Sequence, residues 1–329
     1  MDALLEGIDI LSRHPPQFKT VKERTRAFRQ IGDFFESKTR QGHVHDLAKS
    51  PCAVWPPLQK RLANAVNEIA DAELRRDEVR LWQMYNHGVI IKSDEVVMGM
   101  DVVPLPRRFG WEANTELTHK LAGILDLLMI THRHDDHYDR ELAGACLRLG
   151  KPVFMPASLA ADWGFDPNLH AVGNDWEIEI DDLRIRAQPS LHVWRKTMDE
   201  VPLIAYEVRC QEGYTFIFSG DADYTRSLEK PDDAEVDLLF IPWRNPNEKY
   251  EQGHPKCKGT TLDAVNIALR RVKPRNVIHE HYAELKHVYD GFPASYDIAL
   301  ELQSKMAVPS ELLFWGESLT LTPCPGGAQ

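Results

Sequence analysis

The spacing of apolar and polar positions changes character near residue 79. Before it, apolar residues recur at helical intervals. Phe28, Ile31, Phe34 and Phe35 share one face of a segment running from Thr20 to about Arg40, and Leu58, Leu62, Val66 and Ile69 share one face of a second. Thr20 followed three residues later by Glu23 has the form of a capping box for the first segment. Pro51, Pro56 and Pro57 punctuate a loop between the two. Beyond residue 79 the apolar runs shorten to strand length, at 79–84, 89–91, 96–100, 124–130, 152–156, 204–208, 215–218, 236–242 and 276–282. Residues 176–180 and 183–187 alternate on either side of Asp181 and Asp182, which predicts a hairpin. Helices are expected at 141–149, ended by Gly150, and at 261–271. The aromatic stripe before residue 79 reads as core, so that part is an accessory helical layer that covers the sheets or forms a dimer interface. No internal repeat is evident.

Bulk composition narrows the class. A chain of 329 residues with 43% hydrophobic residues has material for one large core or two smaller ones. Its formal net charge of -11 disfavours a non-specific nucleic-acid binder, which needs a basic footprint. Cys52, Cys146, Cys210, Cys257 and Cys324 are odd in number and form no C-x-x-C pair, which argues against a disulfide framework and fits a reducing compartment. The first residues lack a basic stretch followed by an apolar one, and no run approaches the ~20 apolar residues that span a bilayer. The expectation is a soluble, cytoplasmic protein without a membrane span.

Chemistry concentrates in Thr131-His132-Arg133-His134-Asp135-Asp136-His137. The order is H-x-H-x-D-H, directly after the apolar run 124–130. His132 and His134 are two apart, so an extended segment points them the same way. Asp136 and His137 follow where the chain turns, and can face a second point nearby. One loop thus offers two imidazoles to one metal ion and a carboxylate with an imidazole to another. This donor mix suits zinc, with manganese or iron as alternatives. Structural zinc sites are dominated by cysteine, and none lies near. The bland alternative, a histidine-rich surface loop, does not account for the spacing or for the buried strand before it.

The motif resembles the central signature of the metallo-β-lactamase fold superfamily of metal-dependent hydrolases. The closest likeness is to the branch containing L-ascorbate-6-phosphate lactonase and N-acyl phosphatidylethanolamine phospholipase D. It covers roughly residues 81–323. The resemblance implies an α+β fold: an αβ/βα sandwich of two mixed β-sheets flanked by helices. The domains expected are a helical N-terminal extension (1–80), a hydrolase domain (81–323) and a C-terminal tail (324–329). It implies two divalent metal ions. His132, His134 and His192 would hold one; Asp136, His137 and His281 the other; and Asp221, after Gly220, would bridge them. Asp101 would support the metal loop through hydrogen bonds, and Asp223 would face solvent or lie just behind the ligands. His87, in Asn86-His87-Gly88, stands near a Gly-His pair of the branch and is either close to the metals or a turn histidine. At the last ligand position the family form has proline, a spacer and then histidine. This aligns His281 as the ligand and His279 with the proline, leaving the two to be distinguished. Residues 313–319 resemble the closing strands of the branch.

A metal-bound water has its pKa lowered from ~15.7 toward ~7 and supplies hydroxide at neutral pH. Asp136 and Asp221 are the catalytic candidates, Asp136 by orienting the nucleophile. The expected activity is hydrolysis of a small phosphorylated or carboxylated ester, lactone or phosphodiester. Arg195 follows His192 in the branch's order of histidine, tryptophan and arginine, and is either a fork for the substrate's anionic group or an ion-paired surface residue. His254, Lys256 and Lys258 sit on a polar loop, 244–259, that would border the pocket or simply be solvated. Nucleic-acid or phospholipid phosphodiester cleavage is the alternative. Related nucleases carry a large insertion before the last ligand, whereas positions 221 and 281 are 60 apart, and no amphipathic basic segment for a membrane is evident. A non-catalytic metal-binding scaffold with an N-terminal interaction module is a third reading. A homo-oligomer is compatible with all three.

Overall fold

The computed structural model describes residues 2–40, 55–104, 115–180, 183–188, 190–194, 199–210, 213–243, 258–281 and 296–322, without the side chains of 36–40, 55, 193–194 and 199–200. The first sheet is built from β1 (Val79–Gln83), β2 (Val89–Lys92), β3 (Val97–Met100), β4 (Leu127–Met129), β5 (Val153–Pro156), β6 (Leu169–Val172) and β16 (Ser318–Leu321). Its order is β16-β1-β2-β3-β4-β5-β6. The second sheet contains β7 (Glu177–Ile180), β8 (Leu183–Gln188), β11 (Ala205–Arg209), β12 (Thr215–Phe218), β13 (Leu238–Pro242), β14 (Asn276–Glu280) and β15 (Ser310–Leu312). Its order is β15-β14-β13-β12-β11-β8-β7. A short antiparallel pair, β9 (His192–Trp194) and β10 (Asp199–Val201), stands apart. Both sheets are mixed. The strands from β3 to β6 run parallel, as do those from β12 to β15, and the other neighbours pair antiparallel. This is the α+β sandwich implied by the resemblance.

The period of the strands explains the layering. In β1, Val79 and Leu81 join the core between the sheets, while Trp82 joins the core beneath the helices. In β13, Leu238 and Phe240 face inward while Leu239 and Ile241 face the helical layer. Strands covered on both faces read as continuous apolar runs rather than as alternation. The hairpin of β7 and β8 forms with Ile180 opposite Leu183.

The N-terminal helices α1 (Asp2–Arg13), α2 (Lys22–Arg40) and α3 (Trp55–Asp71) share their core with the outer face of the sheets. Leu58, Leu62, Val66 and Ile69 are fully buried, as the helical spacing predicts. Two local expectations change. Pro56 and Pro57 belong to the first turn of α3 rather than to a loop, where a missing N–H costs nothing because the first turn leaves its N–H groups unpaired within the helix. Helix α2 begins at Lys22, two residues after Thr20. The run 313–319 is mostly a crossover: β15 closes the second sheet, β16 closes the first, and the chain between them passes from one to the other.

That crossover anchors the helices. Arg24 of α2 is buried between Glu317, with Nη1–Oε1 at 2.8 Å, and Glu311, with Nε–Oε1 at 3.5 Å. It also donates to the carbonyls of Leu312 and His14. Arg61 of α3 donates from Nε to the carbonyl of Trp315 at 2.6 Å. The other helices among the described residues are α4 (Thr115–Ile124), α5 (Arg140–Arg148), α6 (Ala157–Ala160), α7 (Thr261–Val272) and α8 (Tyr296–Lys305). Asp139 caps α5 by accepting from the Leu142 N–H, which fixes where the metal-loop sequence ends. Among the described residues, no helix is long and apolar enough to cross a membrane.

Candidate metal centre

The site lies where strands of both sheets end. The loop after β4 carries Thr131 to His137, β9 opens with His192, the turn after β12 carries Asp221, and His281 follows β14. Two clusters result. His132, His134, His192 and Asp221 offer ligand atoms within 4.8 Å of one another, and so do Asp136, His137 and His281. Asp221 joins them. Its Oδ2 lies 3.8 Å from His132 Nε2 and 4.0 Å from His192 Nε2, while its Oδ1 lies 3.4 Å from His137 Nε2 and 3.2 Å from His281 Nε2. Asp136 Oδ2 is 3.3 Å from His281 Nε2 and 3.7 Å from His137 Nε2.

A carboxylate behind the loop orients two of these rings. Asp101 Oδ1 accepts from the Thr131 N–H at 2.7 Å, and Oδ2 accepts from the Thr131 hydroxyl at 2.6 Å and faces His137 Nδ1 at 2.7 Å. The Thr131 hydroxyl has one proton and gives it to Asp101. His132 Nδ1, 3.0 Å from that oxygen, must therefore be the donor. Both His132 and His137 are thereby left with Nε2 aimed into the site. Gly220 permits the close approach. It has φ +52°, and a Cβ there would sit 2.6 Å from Thr131 Oγ1.

Electrostatics divide the two clusters. Burial holds His132 well below the ordinary imidazole range, lowers His192, and brings His134 down to about 4. For His137 and His281 burial acts in the same direction, but the carboxylates around them outweigh it. Asp221, Asp136 and Asp101 raise His137 well above its usual range, and Asp221 with Asp136 raises His281 to about 9. Burial raises Asp221, yet His281 and His137 together bring it well below the usual carboxylate range. A donor set of imidazoles and carboxylates fits divalent transition ions. Among the described residues, His137 Nε2 and both ring nitrogens of His192 are buried without a hydrogen-bond partner, an orphaning that fits a role as metal ligands.

The sequence matches the family described as the Beta-lactamase superfamily domain over residues 90–281, more than half of the chain. The chain belongs to this superfamily. Solved structures share the fold at low identity. Igni18, a metallo hydrolase from Ignicoccus hospitalis, is 18% identical, with 75% of this chain and 100% of that one covered at a TM-score of 0.52. The metallo-β-lactamase fold protein YhfI from Bacillus subtilis is 12% identical, covering 74% and 99% at 0.50. An isothiocyanate hydrolase from Delia radicum gut bacteria is 13% identical, covering 74% and 99% at 0.50. No curated protein sequence matches the chain.

Within this superfamily fold, all seven residues expected as ligands come together. His279 does not join them. It is buried on the helical side of β14, with Nε2 3.1 Å from Met306 Sδ, and burial lowers it to about 4. Strand parity alone would give His281 the same side, but His281 has φ +63°, and this left-handed turn brings its ring back to the site. Asp223 is buried rather than solvent-facing. It accepts from the Thr225 hydroxyl at 2.5 Å and Arg226 Nε at 2.6 Å, and its N–H holds the Leu191 carbonyl just before His192. His87 is fully buried, its ring 5.0 Å from that of His137 and 5.8 Å from that of His281. Lys258 is exposed; Arg195, His254 and Lys256 lie outside the described residues.

Three residues escaped the sequence reading. Thr131 was readable only as the position before the first histidine. Asn86 hydrogen-bonds Asp136 from a turn, and nothing in its own neighbourhood signals that distant partner. Glu280 is fully buried between two histidines at the end of an apolar strand, and that charge inside a buried run was the available signal.

Proposed function

We propose that this chain is a metal-dependent hydrolase with a dinuclear site, acting on a small phosphorylated or carboxylated ester, lactone or phosphodiester. The observation that carries this reading is Asp221, whose two oxygens face two separate histidine clusters. In the proposal His132, His134 and His192 hold one ion, Asp136, His137 and His281 hold the other, and Asp221 is shared. Zinc fits the donors best, with manganese and iron as alternatives. Bound divalent ions acidify water to give a nucleophile near neutral pH and polarise the bond under attack.

The residues of the chain supply orientation and proton control. Asp101 and Thr131 fix the tautomers of His132 and His137, so that their lone pairs face the site. Asp136, held at the site's edge, orients the attacking water. A carboxylate at Asp221 offsets the repulsion between two dications. The motif and the order of His192, Trp194 and Arg195 support membership of the branch with L-ascorbate-6-phosphate lactonase and N-acyl phosphatidylethanolamine phospholipase D. We take residues 1–80 as a helical extension, 81–323 as the hydrolase domain and 324–329 as a tail. A panel of lactones, carboxylic esters, phosphodiesters and an isothiocyanate, each assayed with and without chelator, tests the class. Turnover that chelation abolishes and zinc or manganese restores supports it, and turnover indifferent to chelator refutes it.

A further inference from the structure

We infer that the turn between β1 and β2 is a positioning device for one half of the metal centre, acting through Asn86 and through a pair formed by His87 and Glu280. The inference rests on the two-ion reading above. Asn86 is buried and has φ +52°, a conformation that asparagine tolerates better than most residues. This backbone turn aims its side chain at the metal loop, where Nδ2 donates to Asp136 Oδ2 at 3.1 Å. That same oxygen is the one facing His281 and His137. The next residue reaches the second sheet. His87 Nδ1 lies 2.8 Å from Glu280 Oε2, and both side chains are fully buried. Glu280 immediately precedes His281, and its carbonyl accepts from the Trp243 N–H at 3.0 Å. The His87 ring packs 4.8 Å from that of Phe218, at the end of β12.

Two consecutive residues of one turn thus contact Asp136, which follows β4 of the first sheet, and Glu280, the last residue of β14 in the second sheet and the one before His281. Among the described residues, the contacts of Asn86 and His87 with the proposed ligands fall on Asp136, His137 and His281, the cluster opposite His134 and His192. A left-handed residue with a buried donor and a fully buried imidazole–carboxyl pair, whose charged forms burial disfavours on both sides, are each costly in isolation. Their coincidence beneath one cluster is explained if they set the separation and angle of Asp136 and His281. Asn86 and His87 are positioning residues in this account and touch no reacting atom. The consequence is an asymmetry: the turn tunes affinity for the ion between Asp136, His137 and His281, and leaves the ion between His132, His134 and His192 nearly unaffected.

The test is a zinc titration of the full chain, read as the dissociation constants of the first and second equivalents, with thermal melts to verify folding. Asn86→Gly keeps the backbone conformation accessible and deletes the amide. Glu280→Gln keeps the shape and alters the pair. In each, one equivalent is expected to weaken by about 10- to 100-fold, the range found for residues that orient ligands, while the other changes by less than about 3-fold. His134→Ala is expected to weaken the opposite equivalent, which assigns the two. Equal weakening of both, or no change in either, in a folded Asn86→Gly protein overturns the inference and leaves the two-ion reading standing. A wild-type protein that binds a single equivalent overturns both. If Glu280→Gln fails to fold, the Asn86→Gly titration alone decides.

Discussion

At the scale of single residues, the site depends on contacts too close to tolerate one more carbon. Gly220 packs on Thr131, and Thr131 connects Asp101 to the metal loop. Gly220→Ala combines a left-handed backbone with a Cβ inside van der Waals distance of Thr131, so a loss of roughly 1–3 kcal/mol in stability is expected, read by chemical denaturation. Thr131→Val keeps the volume and removes the hydroxyl. It is expected to cost about 10- to 100-fold in metal affinity through the freed His132 tautomer, with much less effect on folding. Retention of full affinity would show that the hydroxyl does not set the tautomer. Asp223→Ala is expected to lower stability by about 1–3 kcal/mol, since Arg226 and Thr225 lose a shared partner, while the backbone bond to Leu191 is kept. His279→Ala should leave metal content intact and cost only packing against Met306. At this scale His132, His134, Asp136 and His137 were legible as candidate ligands because spacing in the motif encodes direction, whereas His192, Asp221 and His281 followed from the family resemblance. Asn86 and Glu280 were not, because their partners lie 50 positions away and across the sandwich, respectively.

At the scale of elements, the N-terminal helices are held by charge as well as by apolar packing. Arg24 sits between two glutamates of the crossover that joins the sheets. Burial raises Glu311, while the Arg24 guanidinium pulls it back down. Arg24→Ala leaves Glu311 and Glu317 buried without their counter-ion and is expected to cost about 3–5 kcal/mol. A change below about 1 kcal/mol in the urea midpoint analysis would show that the pair contributes little. Replacing the residue by methionine, which keeps packing but not charge, separates the two contributions. The strands and the helical faces were legible, because period and length separate them. The crossover was not. Phe314 and Trp315 make residues 313–319 read as a strand, yet they fill the core under the N-terminal helices while the chain changes sheets. Hydrophobicity reports burial and does not distinguish a buried strand from a buried connection.

At the scale of the whole molecule, two sheets bring seven donors to one end of a sandwich, and the acidity of those donors divides them. His132, His134 and His192 are neutral at pH 7 in the metal-free protein, whereas His281, raised to about 9, and His137 hold protons there. Folded values above the ordinary ~6.5 mean that protonation of His137 and His281 stabilises the metal-free fold below that pH, and that the His281 share is lost as pH rises through about 9 and the His137 share as pH rises through its own raised value. In the proposed site an ion displaces those protons, so affinity at that end is expected to rise with pH up to about 9, where His281 loses its proton. The other end, whose three imidazoles are all lowered by burial, is expected to depend less on pH. Calorimetric titrations in buffers of different ionisation enthalpy read the protons released, which are expected with one equivalent and not with the other. The most direct measurement for the account as a whole is hydrolytic activity and metal content followed together as zinc is returned to chelated protein, for wild type and Asp221→Ala. Two equivalents bound by wild type, with activity appearing alongside them, and at least one equivalent lost in Asp221→Ala with activity down by orders of magnitude, is the expected result. Less than one equivalent bound by wild type, or Asp221→Ala matching wild type in both readings, would contradict it.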